Sequence, residues 1–199
     1  MLQKKDIVVF DFDGTLSASD SNLEFFKYCF KHSLRPWLFL PAVFTACLAS
    51  FLNPKGVWWR ERIRCFITPK MVDDFSANVI ELHKKNRFGW ASAQVAKEKR
   101  AGNTVILISA SPDYLIPFLV SDMKFDAVIC SKTQKDKPYR YKGRMCLGKN
   151  KVIALDEWAV KNKIIPNVIR AYSDSESDMP LMEIAKEQVW IDPKTGMRK

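Results

Sequence analysis

The strongest constraint on the fold is a run of short β-branched segments, each ending abruptly in polar residues. Ile7-Val8-Val9-Phe10 ends in Asp11-Phe12-Asp13-Gly14, Thr104-Val105-Ile106-Leu107-Ile108 in Ser109-Ala110-Ser111, and Asn167-Val168-Ile169-Arg170-Ala171-Tyr172 in Ser173-Asp174. Asp126-Ala127-Val128-Ile129-Cys130 and Gln188-Val189-Trp190-Ile191 are two further runs of the same kind. Such segments read as buried strands, and helical patterns near 112–122, 149–162 and 178–186 separate the later ones. Strands alternating with helices specify an α/β fold, a Rossmann-like parallel sheet with helices on both faces. Tyr139 to Leu147, with Gly143 at its centre, reads as a hairpin beside that sheet.

Residues 21–100 interrupt the alternation: they are helical in character, rich in Trp and Phe, and contain no convincing strand. The expected organisation is therefore a core of residues 1–20 and 101–199 with 21–100 as an inserted helical cap. Ligands of open α/β sheets bind beyond the carboxyl ends of the strands, and a cap inserted after the first strand covers that edge.

At those strand ends sit the residues that carry chemistry. Asp11 and Asp13, two apart where the chain leaves a strand, suit a division between an ionised nucleophile or metal ligand and a general acid–base; Gly14 permits the tight turn. An ordinary acidic turn is the plain alternative. Ser109 stands at the tip of the second strand, placed to donate to an anion at the start of a helix. Ser111 before Pro112 reads as the cap of that helix. Asp174 falls at the tip of the fourth strand and Asp178 one turn later, where Asp before Met179-Pro180 is also a good helix cap. Clustered carboxylates repel unless a cation holds them, and hard oxygen ligands select Mg²⁺. Lys151, opening a helix in Gly148-Lys149-Asn150-Lys151-Val152, is placed to neutralise a phosphate and an attacking carboxylate, or is a surface lysine.

In this order the four clusters resemble the motifs of the haloacid dehalogenase superfamily of phosphohydrolases: DFDGTL (11–16), Ser109 after VILI, Lys151 in GKNKV, and YSDSESD (172–178). The resemblance spans nearly the whole chain. It implies that Asp11 is the nucleophile, forming an aspartyl-phosphate, and that Asp13 protonates the leaving group and then activates water. It further implies that Asp11, the Asp13 carbonyl and Asp174 bind Mg²⁺ with support from Asp178, and that Ser109, Ala110 and Lys151 hold the phosphoryl group. Ser173 departs from the glycine that many relatives carry before the aspartate.

The cap is expected to select the substrate. Pro36 to Pro54 is 19 residues without a charge, close to the ~20 of a membrane-spanning helix. A single crossing would put Asp11 and the later motif residues on opposite sides of a membrane. The stretch therefore lies in an interface, re-enters near Pro41, or packs inside the cap. Lys27, Lys31 and Arg35 precede it, Lys55, Arg60, Arg62 and Arg64 follow it, and Trp37, Trp58 and Trp59 are nearby, a pattern suited to an anionic lipid surface. The chain carries +10, of which residues 21–100 hold +8; this attracts anionic lipids and phosphorylated metabolites. Nucleic acid has charge in its favour but no motif. Five scattered cysteines without a CxxC, and an N-terminus with only four apolar residues before Asp11, point to a reducing, cytoplasmic setting, at the inner face of the membrane if the cap binds lipid.

Within the superfamily, the subgroup with a helical cap between the first two motifs (subfamily IB) includes phosphoserine phosphatases and bacterial phosphatidylglycerophosphatases. RMCLGKNKV, AYSDSESDMPLM and the hydrophobic, basic cap look more like phosphatidylglycerophosphatase C. Ala110-Ser111 and Asp20 depart from the Gly-Gly and Glu usual in phosphoserine phosphatases. The expectation is a Mg²⁺-dependent lipid phosphomonoesterase, the alternative a soluble small-metabolite phosphatase. Asp20, Arg60 and Arg64 are candidate substrate contacts, with Arg60 and Arg64 on one helical face.

Overall fold

The computed structural model describes residues 2–42, 44, 45, 48, 64, 66–134 and 139–199, the side chains of 79–82 excepted. Arg60, Arg62, Trp58, Trp59 and, within the apolar stretch 36–54, residues 43, 46, 47 and 49–54 therefore lie outside the described residues.

Five parallel strands, β1 (Gln3–Phe10), β2 (Thr104–Pro112), β3 (Ala127–Ser131), β4 (Ile164–Ser173) and β5 (Glu187–Trp190), form one sheet in the order β3-β2-β1-β4-β5. The α/β expectation holds, and all five strands fall where the β-branched runs stand. β1 is central, so its last four residues are buried on both faces, the reason it reads as continuously apolar rather than alternating. Val8 and Phe10 join Val105, Leu107 and Tyr172 on one face, while Ile7 and Val9 join Ile106, Ile108 and Val168 on the other. Phe10 stacks on Tyr172, ring centroids 4.2 Å apart, fixing β1 against β4 close to their carboxyl ends.

Helices α1 (Ser21–His32), α2 (Pro69–Asn86) and α3 (Ala91–Arg100) lie between β1 and β2 in the chain, and α4 (Lys149–Lys161) and α5 (Met179–Glu183) come later. The first face of the sheet is covered by side chains of the first three, including Phe25, Phe75 and Val95. The second packs against Leu155 of α4 and Leu181 of α5. Thr68 caps α2 through the Met71 amide, and Asp20 caps α1, accepting from the Leu23 N–H at 2.9 Å, as short polar side chains at this position do. Among the described residues no helix is long and apolar enough to cross a membrane.

Two local readings are corrected. The helix expected over 112–122 is only a turn at Ile116–Leu119, because β2 runs on to Pro112, which pairs with Ser131 after a register shift beyond Ser109. Ser111 is therefore a strand residue and not a helix cap, and Ser109 stands three residues before the end of β2 rather than at its tip. The hairpin is also displaced: Lys132–Gln134 pairs with Arg140–Lys142, through Thr133 opposite Tyr141, rather than folding about Gly143.

Candidate active site

Strand order places β1 between β2 and β4, so the three polar strand ends converge by topology. The Asp11 N–H donates to the Tyr172 carbonyl at 3.0 Å, carrying the pairing of β1 and β4 one step past the strand. One cavity of about 450 Å³ opens there, lined by Asp11, Asp13, Ser109, Ala110, Lys151, Asp174 and Asp178 among others. The structure thus brings together every motif residue singled out in the sequence. Asp20 and Arg64 also line this cavity.

Lys151 is the hub. It is 2% exposed, and its Nζ lies 2.6 Å from Asp11 Oδ1 and 2.6 Å from Asp178 Oδ2. Burial works against its charge, but Asp11 and Asp178 together hold its pKa above the usual lysine value. The reading of Lys151 as a surface residue is thereby excluded. Asp178 stands before α5, but its side chain makes no cap bond. Its Oδ2 instead accepts from Lys151 and from Ser173 Oγ at 2.7 Å. The departure at Ser173 has a use: its hydroxyl ties Asp178 in place and accepts from the Ser175 N–H, which glycine cannot do.

The turn after β1 is shaped by Gly14, with φ at +77°; a Cβ there would lie 2.3 Å from Asp174 Oδ2. Only glycine lets the Asp174 carboxylate sit against this turn. Thr15 Oγ1 lies 3.1 Å from Asp174 Oδ1 and 3.4 Å from Asp11 Oδ2, so the two carboxylates are one hydroxyl apart. Burial raises the Asp11 pKa against the pull of Lys151, and burial also raises that of Asp174. The remaining oxygen of Asp178, Oδ1, is buried without a hydrogen-bond partner.

Asp13 is held differently. Its Oδ1 accepts from the Ser21 N–H at 2.7 Å, and its Oδ2 from Ser111 Oγ at 2.6 Å and Ser21 Oγ at 3.0 Å. Burial pushes its pKa up to about 6, opposed by these hydrogen bonds. Ser111, which sequence reasoning assigned to a helix cap, and Ser21 are the residues it missed. Ser-Pro is a helix-start signal, and nothing local says that the strand continues through it. Ser111 Oγ also accepts from Asn22 Nδ2 at 2.7 Å.

Farther along the wall, Arg64 is 4% exposed. Its Nη2 donates to Asn22 Oδ1 at 2.9 Å, and its guanidinium lies over the Tyr141 ring, 4.3 Å from the centroid. Asp20, although it lines the cavity, is committed to the α1 cap.

Five aspartates, Asp11, Asp13, Asp20, Asp174 and Asp178, line one cavity that contains one buried lysine and one buried arginine. Among the described residues no three His, Cys, Asp or Glu side chains form a metal-holding group. Two carboxylates one hydroxyl apart, with the backbone of the same turn, nevertheless make a hard-oxygen donor set that fits a divalent cation.

Residues 8–183 match the family model for haloacid dehalogenase-like hydrolases. The chain belongs to this family. A probable phosphatase of Mycobacterium tuberculosis is 24% identical over 96% of this chain and 70% of its own length. A histidinol-phosphatase of Neisseria meningitidis is 21% identical over 98% and 94%. A substrate-bound phosphoserine phosphatase structure superposes with a TM-score of 0.66 at 14% identity, covering 95% of this chain and 87% of that one. The fold is thus the haloacid dehalogenase fold. The expectation of a phosphoric monoester hydrolase holds at this level: the chain is a hydrolase of this family, and these three relatives bear phosphatase names.

Proposed function

We propose that the chain hydrolyses a phosphoric monoester by way of an aspartyl-phosphate on Asp11, assisted by Mg²⁺. The observation that carries this reading is the Asp11–Lys151–Asp178 triad, linked through Thr15 to Asp174, all on one cavity with Asp13. Asp11 Oδ attacks phosphorus, forming a P–O bond as the ester P–O bond breaks, and Asp13 gives its proton to the departing oxygen. Water then attacks phosphorus and yields its proton to Asp13, and Asp11 is released with inorganic phosphate. A carboxyl with its pKa raised to about 6 suits both halves of that exchange. Lys151 neutralises charge on Asp11 and on the phosphoryl oxygens, and Ser109 and Ala110 line the wall beside them. Asp11, Asp174 and the Asp13 carbonyl would hold Mg²⁺, with Asp178 supporting through Lys151. The cation, when bound, supplies positive charge to the phosphoryl oxygens.

For the substrate we propose a lipid phosphomonoester, phosphatidylglycerophosphate, as in the subfamily IB phosphatidylglycerophosphatase C type. In this reading residues 1–20 and 101–199 are the catalytic core, and 21–100 is a cap that works on the cytoplasmic face of the inner membrane. The supporting observation is a series of exposed large apolar residues, Leu34, Trp37, Leu38, Phe44 and Leu48, beside the exposed cations Lys31 and Arg35. Arg64, held at the cavity wall, would meet a second anionic group of the substrate.

A soluble small-metabolite phosphatase is the second reading, favoured by the polar wall of Asp20, Asn22 and Arg64. Phosphate release with Mg²⁺ from phosphatidylglycerophosphate in mixed micelles, against phosphoserine and histidinol phosphate, separates the two. Preference for the lipid supports the first reading, and preference for a soluble ester replaces it with the second. Asp11→Asn is the blank; activity surviving in it refutes the nucleophile.

A further inference from the structure

A second and larger cleft, about 610 Å³, lies on the far side of the segment that walls the catalytic cavity. Its floor is apolar: Ile129 from the edge strand β3, and Ile153, Ala154 and Trp158 from α4. The α4 residues recur at helical spacing, so they present one face to the cleft. Its rim carries four cations, Lys132, Lys142, Arg144 and Lys161, and one carboxylate, Glu157. Glu157 pairs with Arg144 at 3.3 Å, and Lys132 lies 3.8 Å from Asp113. Lys142 and Lys161 have no ion pair among the described residues.

The chemistry of this lining defines its occupant. A free inorganic anion would satisfy the rim and leave the floor against water. A nucleotide base would find few partners, since the Asn150 amide already donates to the Met145 carbonyl at 3.0 Å. An aliphatic chain with an anionic head covers the floor and meets the rim. We propose that the cleft binds a monomeric acidic lipid, its chain along Trp158 and its head between Lys142 and Lys161, and that occupancy is felt in the catalytic cavity.

The two cavities share a wall. Met145 lines both. The neighbouring Cys146 N–H donates to Ser131 Oγ at 2.9 Å, and that hydroxyl donates to the carbonyl of Ala110 at 2.7 Å. Ala110, near the end of β2, in turn lines the catalytic cavity, so a ligand pressing on residues 144–146 acts on a segment tied through the Ser131 hydroxyl to that strand end.

The test is a calorimetric titration of the full chain with laurate below its micellar concentration, with tryptophan fluorescence in parallel and neutral dodecyl maltoside as the control. Laurate is expected to bind and the maltoside to bind far more weakly. Reversing two rim charges in Lys142→Glu/Lys161→Glu is expected to lower laurate affinity by about tenfold or more. Trp158→Phe should bind laurate but lose the fluorescence change, and Asp11→Asn should bind it as the wild type does, so a failure of the catalytic reading leaves this result intact. Unchanged affinity in the double variant, or equal binding of the maltoside, overturns the site and assigns laurate to another apolar surface. Phosphate release from p-nitrophenyl phosphate should change at saturating laurate in the wild type and not in the double variant. A rate unmoved by laurate overturns the coupling.

Discussion

Asp13→Asn should remove a pH dependence from the stability of the metal-free protein. The carboxyl of Asp13 has an ordinary value of 3.8 and titrates at about 6 in the fold, where burial penalises its charged form. Because the folded value is the higher one, the fold binds this proton more tightly than the unfolded chain does. The resulting stability is fully present below the ordinary value and is lost as pH rises through the folded one. A difference of about two pH units corresponds to about 3 kcal/mol once both values are passed. This is an upper bound, since one edge of the side chain faces the open cavity. Asparagine fits the same place: its oxygen can keep the Ser21 N–H, and its amide can donate to the Ser111 and Ser21 hydroxyls, which are free to turn. Urea unfolding of both proteins in EDTA, followed by tryptophan fluorescence, should show the variant gaining on the wild type. The gain should be about 2–3 kcal/mol between about pH 4 and about pH 7.5. The pH dependence carries the result, so any fixed packing offset cancels. A stability difference constant across that range would show that the Asp13 charge is as well solvated in the fold as in the unfolded chain, refuting the reasoning.

Three further outcomes are expected. Ser111→Ala removes the 2.6 Å hydrogen bond to Asp13 and leaves the Asn22 amide without its acceptor; a hydrogen bond to a charged group is worth ~1.5–3 kcal/mol, so kcat/KM should fall by about ten- to a hundredfold. A helix-cap role would instead cost stability and spare the pH profile. Gly14→Ala puts a Cβ 2.3 Å from Asp174 Oδ2 at a φ of +77°; thermal unfolding should show a loss of at least ~1–2 kcal/mol from the backbone conformation, and displacement of Asp174 should weaken the response to Mg²⁺. Added Mg²⁺ should raise the Tm of the wild type, read by calorimetry, and raise that of Asp174→Asn much less, because ligand binding to the folded state alone is stabilising. Equal increases in the two proteins would place the cation elsewhere.

The legible and illegible parts of this chain differ in a physical way. The carboxyl-terminal half of β1, most of β2 and the end of β4 are buried, so their apolar runs announce themselves, and a parallel sheet leaves their carboxyl ends on one edge. Asp11, Ser109 and Asp174 could therefore be gathered from sequence without knowing any side-chain geometry. Ser111 could not, because its role depends on β2 continuing through a proline. The pairing that makes this possible, Pro112 with Ser131 after a register shift, is set by a partner strand some twenty residues away. The hairpin is illegible for a related reason: Gly143 has a positive φ of +75°, a true turn signal, but the antiparallel pairing of Thr133 with Tyr141 precedes it. Lys151 shows the opposite limit. Composition favours a solvated lysine at a helix start, and only the carboxylates of Asp11 and Asp178, 140 and 27 residues away in sequence, make its burial affordable. Apolar pattern places the strands and topology brings their ends together. The partners of each buried polar atom are then tertiary facts, and it is these, at Asp13, Lys151 and Asp178, that set the protonation states on which hydrolysis depends.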